Sequence, residues 1–260
     1  MKSLKVLLTL FISCLVSLSI CHAQGREISY DIGTQKFKGY LATPDGSGPY
    51  PGVVIIHEWW GLNDYPRLRA DQLARAGYVA LAIDMYGDGQ TADTPSGATA
   101  LSSQALSDWD QVFARVQKGV DVLKEQSLVD SKKVAAIGYC FGGGVVVNTA
   151  RMGLDVAAIV SFHGNLAPKT QKHDYKAKML ILNGAADPLV SKEEILGFKN
   201  EMKQFNIPYE FVDYPGAKHA FTNPNATKIG KKFNLPVAYN QSADQKSWQK
   251  MLDFFKETFK

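Results

Sequence analysis

The stretch Lys133-Val134-Ala135-Ala136-Ile137 runs directly into Gly138-Tyr139-Cys140-Phe141-Gly142-Gly143-Gly144. An apolar run, a glycine-rich turn and then a helical pattern over Gly142–Met152 predict a strand, a sharp turn and a helix. So tight a turn would make side chains two positions before and after Cys140 collide, which explains Gly138 and Gly142. The order predicts a nucleophile elbow with Cys140 in the place usually held by serine.

The same glycines could instead form a loop that binds a nucleotide phosphate. That interpretation is disfavoured because the turn has neither a Gly-Lys-Ser/Thr sequence nor a Gly-x-Gly-x-x-Gly spacing. At the start of the following helix, the backbone N–H of Phe141 would instead face a developing oxyanion.

Around this turn, short apolar runs alternate with amphipathic segments. Strands are predicted at Val53–Ile56, Tyr78–Ile83, Lys133–Ile137, Val156–Ser161, Met179–Leu182 and Tyr209–Val212. Helices are predicted at Leu68–Ala76, Ser103–Gln126, Gly142–Met152, Lys192–Phe205 and Ala243–Phe259. We therefore expect an α/β fold with a mostly parallel central sheet and helices on both faces.

Ahead of this alternation, Glu27–Tyr30 and Lys36–Leu41 flank Gly33 and predict an N-terminal antiparallel hairpin. The Pro/Gly-rich segment Pro44–Gly52 is predicted to be a loop. No repeat or low-complexity linker divides the chain, so residues 24–260 form one predicted domain. The stretch Gly87–Ala100, rich in small and polar residues, is expected to be a mobile loop within it.

The first 23 residues have the features of a secretory signal peptide. Lys2 and Lys5 precede an apolar run from Val6 to Ile20, and Ala23 supplies a small residue at the expected cleavage site. This predicts a secreted or periplasmic protein with no stable membrane insertion after cleavage. A retained anchor or a lipoprotein is the alternative, weakened by the Ser and Thr residues within the run and by bulky Ile20 before Cys21.

Cysteine usage and charge narrow the function further. Of the three cysteines, Cys14 and Cys21 lie in the leader, so Cys140 would be a lone thiol in an oxidising compartment. Composition alone does not decide between a reactive thiol and a small buried hydrophobe. Without Lys2 and Lys5 the chain carries 27 basic and 25 acidic residues, and it has no Lys/Arg block, which argues against nucleic acid as a partner.

A thiol nucleophile needs a base, and in this fold the acid and the base follow the nucleophile along the chain. His219, in a loop just after a strand, is the histidine that fits this order, although a lone loop histidine is often only a surface residue. Asp187 follows the strand Met179–Leu182 and is the candidate acid, with a simple turn residue as the alternative. Asp84 ends an earlier strand, before the nucleophile, and is assigned a structural role.

The segment His57-Glu58-Trp59-Trp60-Gly61 follows the strand Val53–Ile56, where the second oxyanion N–H of this fold originates. Trp59 would supply that amide. Glu58 lacks the partner histidine of a zinc motif, since Gly61 stands at that spacing, so no metal and no cofactor are expected. The paired tryptophans suit a core or a substrate wall equally. Four residues are candidates for substrate contact: Trp60, Tyr86, His163 and Phe221.

Together these motifs resemble the dienelactone hydrolase family, over most of the mature chain. The Gly-x-Cys-x-Gly-Gly turn at 138–143 is the most specific of them. The resemblance implies an α/β-hydrolase fold and a small-molecule ester or lactone substrate. It also implies a triad of Cys140, His219 and Asp187, with Glu58 holding the resting thiol until substrate binds.

One departure separates this chain from the enzymes that named the family. Those enzymes hold a carboxylated lactone with arginines, whereas the matching stretches here, Asp84–Gly89 and His219–Pro224, contain none. A dienelactone is therefore a doubtful natural substrate. A second class of function also stays open, that of a non-catalytic binding or redox-sensing protein that uses the lone thiol.

Overall fold

A computed structural model describes residues 25–260, so the predicted signal peptide lies outside the described residues. The strands are β1 (Arg26–Ile32), β2 (Gln35–Ala42), β3 (Tyr50–Ile56), β4 (Val79–Ile83), β5 (Val129–Tyr139), β6 (Ala158–Phe162), β7 (Lys178–Gly184) and β8 (Tyr209–Tyr214). The helices are α1 (Asp64–Arg75), α2 (Pro95–Ala105), α3 (Trp109–Lys124), α4 (Phe141–Arg151), α5 (Lys192–Gln204), α6 (Ala226–Phe233) and α7 (Gln241–Thr258). No helix in this range is long and apolar enough to cross a bilayer.

The strands form one eight-stranded sheet in the order β1-β2-β4-β3-β5-β6-β7-β8. The strands from β3 to β8 run parallel, while β1 pairs antiparallel with β2 and β2 antiparallel with β4. The predicted N-terminal hairpin and mostly parallel sheet are thus confirmed. Because parallel strands share one carboxyl edge, the loops after β3, β5, β7 and β8 meet there.

Each face of the sheet is buried beneath its own layer of helices. Along β3, Val54 and Ile56 belong to one apolar core, and Val53 and Ile55 belong to the other. Neighbouring residues of a strand point to opposite faces, so a strand covered on both sides must be apolar throughout. The first core also contains side chains of α3, α4 and α5, and the second contains those of α1 and α7.

Three helices, α2, α3 and α6, differ from the sequence prediction. The helix expected over 103–126 is divided in two, because α2 ends at Ala105 and Asp108 caps the start of α3 by accepting from the N–H groups of Asp110 and Gln111. The mobile loop expected over 87–100 is wrong in its second half, since α2 begins at Pro95 with Thr94 as its N-cap. Short helix α6 was not predicted.

Candidate active site

Cys140 stands on the sharp turn between β5 and α4. Its backbone has φ 53° and ψ −112°, a conformation that L-residues rarely adopt and that marks a strained site. A Cβ on Gly138 would lie 1.9 Å from the carbonyl oxygen of Gly142, and one on Gly142 would lie 2.3 Å from the carbonyl oxygen of Ile56. The steric explanation for both glycines is confirmed, and Cys140 is partly exposed and forms no disulfide within the described residues.

Asp187 and His219 lie together at the same edge. Nδ1 of His219 is 2.8 Å from Oδ2 of Asp187, while Oδ1 of Asp187 accepts the backbone N–H of Leu189 at 2.8 Å. Both side chains are almost fully buried, so water competes little for these bonds. The carboxylate is therefore held in one orientation, and it fixes the ring of the histidine.

The electrostatics join His219 to Cys140. Burial by itself lowers the pKa of His219, but the charge of the Cys140 sulfur and the hydrogen bond with Asp187 outweigh burial and raise the pKa to about 10. The arrangement therefore favours a protonated imidazolium at His219, beside the Cys140 sulfur.

The backbone N–H groups of two residues that line the cavity with Cys140 have no acceptor among the described residues. Within the described residues, no acceptor is found for the N–H of Phe141, at the start of α4, or for that of Trp59, in the loop after β3. The two loops are joined, because Gly142 N–H donates to the His57 carbonyl at 3.1 Å. The hydroxyl of Tyr86 donates to the Trp59 carbonyl at 2.8 Å and so orients the peptide chain there.

Glu58 is buried, lines the same cavity as Cys140 and is bonded to Asn223. Its Oε2 accepts from Nδ2 of Asn223 at 2.7 Å, and no hydrogen bond with Cys140 is found in the described part of the chain. Burial raises the pKa of Glu58 to about 7, although the Asn223 bond and the charge of His219 lower it. Near neutral pH this carboxyl is therefore divided between its two protonation states.

A cavity of about 430 Å³ opens in front of Cys140. Its wall is largely apolar and includes Trp59, Trp60, Leu106, Phe141, Leu189, Ala226, Ile229, Leu235, Pro236 and Val237. Among residues 25–260, no Lys or Arg lines it, and Glu58 is the one acidic residue that does. A second, more open cavity of about 300 Å³ lies on the other side of Cys140 and His219, where Lys169 is exposed.

The four candidates for substrate contact have different positions. Trp60 lines the main cavity. Tyr86, His163 and Phe221 line neither cavity, because they are buried behind the wall, at 6%, 0% and 0% exposure. For these three the sequence interpretation needs correction, since each supports the site from behind.

Asp84 and two histidines that precede Asp187 in the chain have structural roles. Asp84 is buried, and its carboxylate accepts the N–H groups of Tyr86, Gly87 and Gly89, so it shapes the loop after β4 as expected. His57 is fully buried, and its Nε2 accepts from the N–H of Met85. His173 pairs with Glu201, away from the site.

Part of the cavity wall was not predicted from the sequence. Leu106, Leu189 and the residues of α6 and its following loop were not singled out, although the apolar residues at 226, 229 and 233, with lysines between them, indicate an amphipathic helix. Asn223 lies in the stretch 219–224, which contains no arginine, but its bond with Glu58 was not predicted. Within residues 25–260 no group of three metal-ligating side chains lies together.

Comparisons with known proteins agree with this geometry. Residues 37–259 match the model of the dienelactone hydrolase family. Protein usf from Aquifex pyrophilus is 30% identical, over 90% of this chain and 98% of its own length. A solved dienelactone hydrolase-like promiscuous phosphotriesterase from metagenomic libraries is 35% identical with a TM-score of 0.85, covering 90% of this chain and 98% of that one. The dienelactone hydrolase from Anabaena variabilis ATCC 29413 is 26% identical with a TM-score of 0.58, covering 80% and 95%.

Proposed function

The chain belongs to the dienelactone hydrolase family and is a hydrolase acting on esters or lactones, and from that premise we propose that it hydrolyses an uncharged ester or lactone through Cys140, His219 and Asp187. The observation that carries the proposal is the buried Asp187–His219 pair beside a thiol on a strained turn. A nucleophile, an oriented base and two unpartnered N–H groups make up the constellation that acyl transfer requires.

In the proposed mechanism, the Cys140 thiolate attacks the carbonyl carbon and forms a C–S bond. The carbonyl electron pair moves onto oxygen, where the N–H groups of Trp59 and Phe141 stabilise it. Collapse of this intermediate breaks the C–O bond, and the leaving alkoxide takes the proton from His219. Water then attacks the thioester with His219 as base, which releases the acid and restores the thiolate.

The role implied for Glu58, to hold the resting thiol, stays a prediction. The bond with Asn223 instead supports a state in which Glu58 is turned away from Cys140. A rotation of the Glu58 side chain would be needed to bring its carboxyl to the sulfur. We propose that Asn223 competes with the thiol for this carboxyl.

The cavity wall supports an uncharged, apolar substrate. A substrate carboxylate would find no Lys or Arg among the described residues of the main cavity, where the His219 imidazolium is already paired with Asp187, and it would stand near Glu58. This agrees with the absence of arginine in the stretches 84–89 and 219–224. A neutral phosphotriester is a reasonable second probe, because a 35% identical relative is named a promiscuous phosphotriesterase.

We also propose that the protein is exported, since residues 1–23 have the sequence of a signal peptide. N-terminal sequencing of the protein from its native envelope or medium tests this. Cleavage near Ala23 is expected, and an intact Met1 on cytoplasmic protein would contradict it.

The proposal is tested by steady-state hydrolysis of short neutral esters, lactones, thioesters and one neutral phosphotriester, with matched carboxylated analogues. We expect turnover of neutral acyl substrates, poor turnover of their carboxylated analogues, and loss of both in Cys140→Ala. If Cys140→Ala turns over substrate as fast as the unmodified protein does, Cys140 is not the nucleophile. Absence of turnover on every probe, together with reversible oxidation of Cys140, would favour the sensor function instead.

A further inference from the structure

His163 lies directly behind the nucleophile turn, on the loop after β6. Its side chain is fully buried, and both ring nitrogens have partners. Nδ1 accepts the backbone N–H of Cys140 at 3.1 Å, and Nε2 lies 2.7 Å from Oγ1 of Thr222. The ring therefore joins the nucleophile turn to the segment that carries the base.

These contacts fix the protonation of the ring. A nitrogen that accepts an N–H carries no proton, so in neutral His163 the proton is on Nε2, which donates to Thr222. Burial, together with the charges of His219 and Arg69, lowers the pKa of His163 well below its usual value. The neutral tautomer that makes both bonds is thus the one that the surroundings favour.

Thr222, three residues after His219, is itself firmly held. Its Oγ1 lies 2.6 Å from the Tyr65 hydroxyl, and its carbonyl accepts from the guanidinium of Arg69 at 2.6 Å. Arg69 is buried and also pairs with Asp244 of α7 at 2.5 Å. The His219 segment is therefore anchored to α1 and α7 through a buried network.

The bond between Cys140 N–H and His163 helps to hold a strained backbone conformation. Cys140 has φ 53° and His163 itself has φ 42°, both in the left-handed region. Such conformations persist only where the surroundings over-determine them. The Cys140 N–H is shared between Nδ1 of His163 and the Phe162 carbonyl, which lies at 3.0 Å. The ring of His163 also packs edge-on to that of His219, with centroids 5.4 Å apart.

We propose that His163 is a positioning residue that fixes the Cys140 turn relative to His219 without touching the substrate. The inference rests on the proposed triad. If the link through Thr222 is lost, the sulfur and the imidazole can drift apart while the substrate cavity keeps its shape. Misplacement of reacting groups by about 1 Å costs on the order of a hundredfold in rate.

The test uses variants that remove one link at a time. His163→Asn retains an acceptor near the position of Nδ1 but cannot reach Thr222, whereas Thr222→Val removes the hydroxyl at nearly constant volume. The matched control is Ser161→Ala, two residues away, because the buried Ser161 hydroxyl has no hydrogen-bond partner in the described structure. Kinetics on the best neutral ester are combined with the rate at which iodoacetamide alkylates Cys140.

We expect both link variants to lower kcat about 10- to 100-fold while KM changes less than twofold. The alkylation ratio, which is the rate of Cys140 alkylation at pH 7 divided by the rate at pH 9, should fall severalfold, because the imidazolium is no longer fixed beside the sulfur. Ser161→Ala should match the unmodified protein in both measurements. A lowered melting temperature with unchanged kcat and an unchanged alkylation ratio would reduce His163 to a structural residue and overturn the proposal.

The two hypotheses fail in different ways. If the triad proposal is wrong, the unmodified protein shows no Cys140-dependent turnover. The alkylation ratio still reports whether His163 positions the thiol beside His219. An unchanged ratio in both link variants then overturns the positioning role by itself.

Discussion

Oδ2 of Asp187 and Nδ1 of His219 lie 2.8 Å apart, although the two residues are 32 positions apart in the chain. The pair forms because β7 and β8 are parallel neighbours, so the loops that follow them meet at one edge of the sheet. A cap from the Leu189 N–H holds the other carboxylate oxygen. The acid is thus pre-oriented before any substrate arrives.

Asp187→Asn is expected to lower kcat/KM by about 10²- to 10⁴-fold. The amide removes the negative charge and the charge-assisted bond that raise the pKa of His219, so the imidazolium loses its stabilisation. The pH above which activity declines should move downward with it. Kinetics from pH 6 to 10 measure both effects, with Asp213→Asn at the exposed end of β8 as the control. If kcat/KM falls equally in Asp187→Asn and Asp213→Asn, Asp187 has no specific role in catalysis.

Glu58 should make the folded protein less stable as the pH rises. Burial raises its pKa from 4.5 to about 7, so the folded state binds the proton more tightly than the unfolded state does. Stability from this group is present below pH 4.5 and is lost as the pH rises through about 7, by about 3 kcal/mol. The variant Glu58→Gln keeps an acceptor for Asn223 and cannot ionise, so it should not lose stability over this pH range.

Urea unfolding of the two proteins between pH 4 and pH 8 measures the difference. The free energy of unfolding of Glu58→Gln should exceed that of the unmodified protein by a margin that grows across this range. The control, Glu257→Gln on the exposed part of α7, should show no such trend. A constant margin would mean that Glu58 ionises as easily in the folded protein as in the unfolded chain.

The cavity formed by α6 should set the acceptable length of the apolar substrate group. Ile229→Trp fills space that Ile229 lines, so kcat/KM should fall about tenfold for an octanoyl ester and stay nearly constant for the acetyl ester. Lys231→Trp adds the same ring to an exposed position of α6 and is the control. Parallel losses on both esters would place the long chain elsewhere, for instance in the second cavity.

Much of this site could be predicted because its requirements are local. Gly138 and Gly142 flank Cys140 for steric reasons that depend on five consecutive residues, and the order of nucleophile, acid and base follows from the strand order. The role of His163 could not be predicted, because its partners Cys140 and Thr222 are 23 and 59 residues away. Its burial depends on packing that no local pattern encodes.

The residues of the cavity wall could not be predicted from the sequence for a different reason. Helix α6 has only eight residues, and although its pattern is amphipathic, its function depends on where the His219 loop places it. Asn223 is similar, since its significance lies in a contact with Glu58, 165 residues earlier in the chain. Apolar periodicity identifies the sheet and its long helices, whereas short covering elements are defined by tertiary contacts.

The most direct test of the account is the mass of the Cys140 peptide after rapid mixing with an activated neutral ester and quenching in acid. The proposed mechanism predicts an adduct equal to the acyl group on Cys140, formed faster than product is released in the steady state. The adduct should accumulate in the unmodified protein and be absent in Cys140→Ala. Continued turnover with no acyl group on Cys140 at any time would contradict the claim that this thiol is the nucleophile.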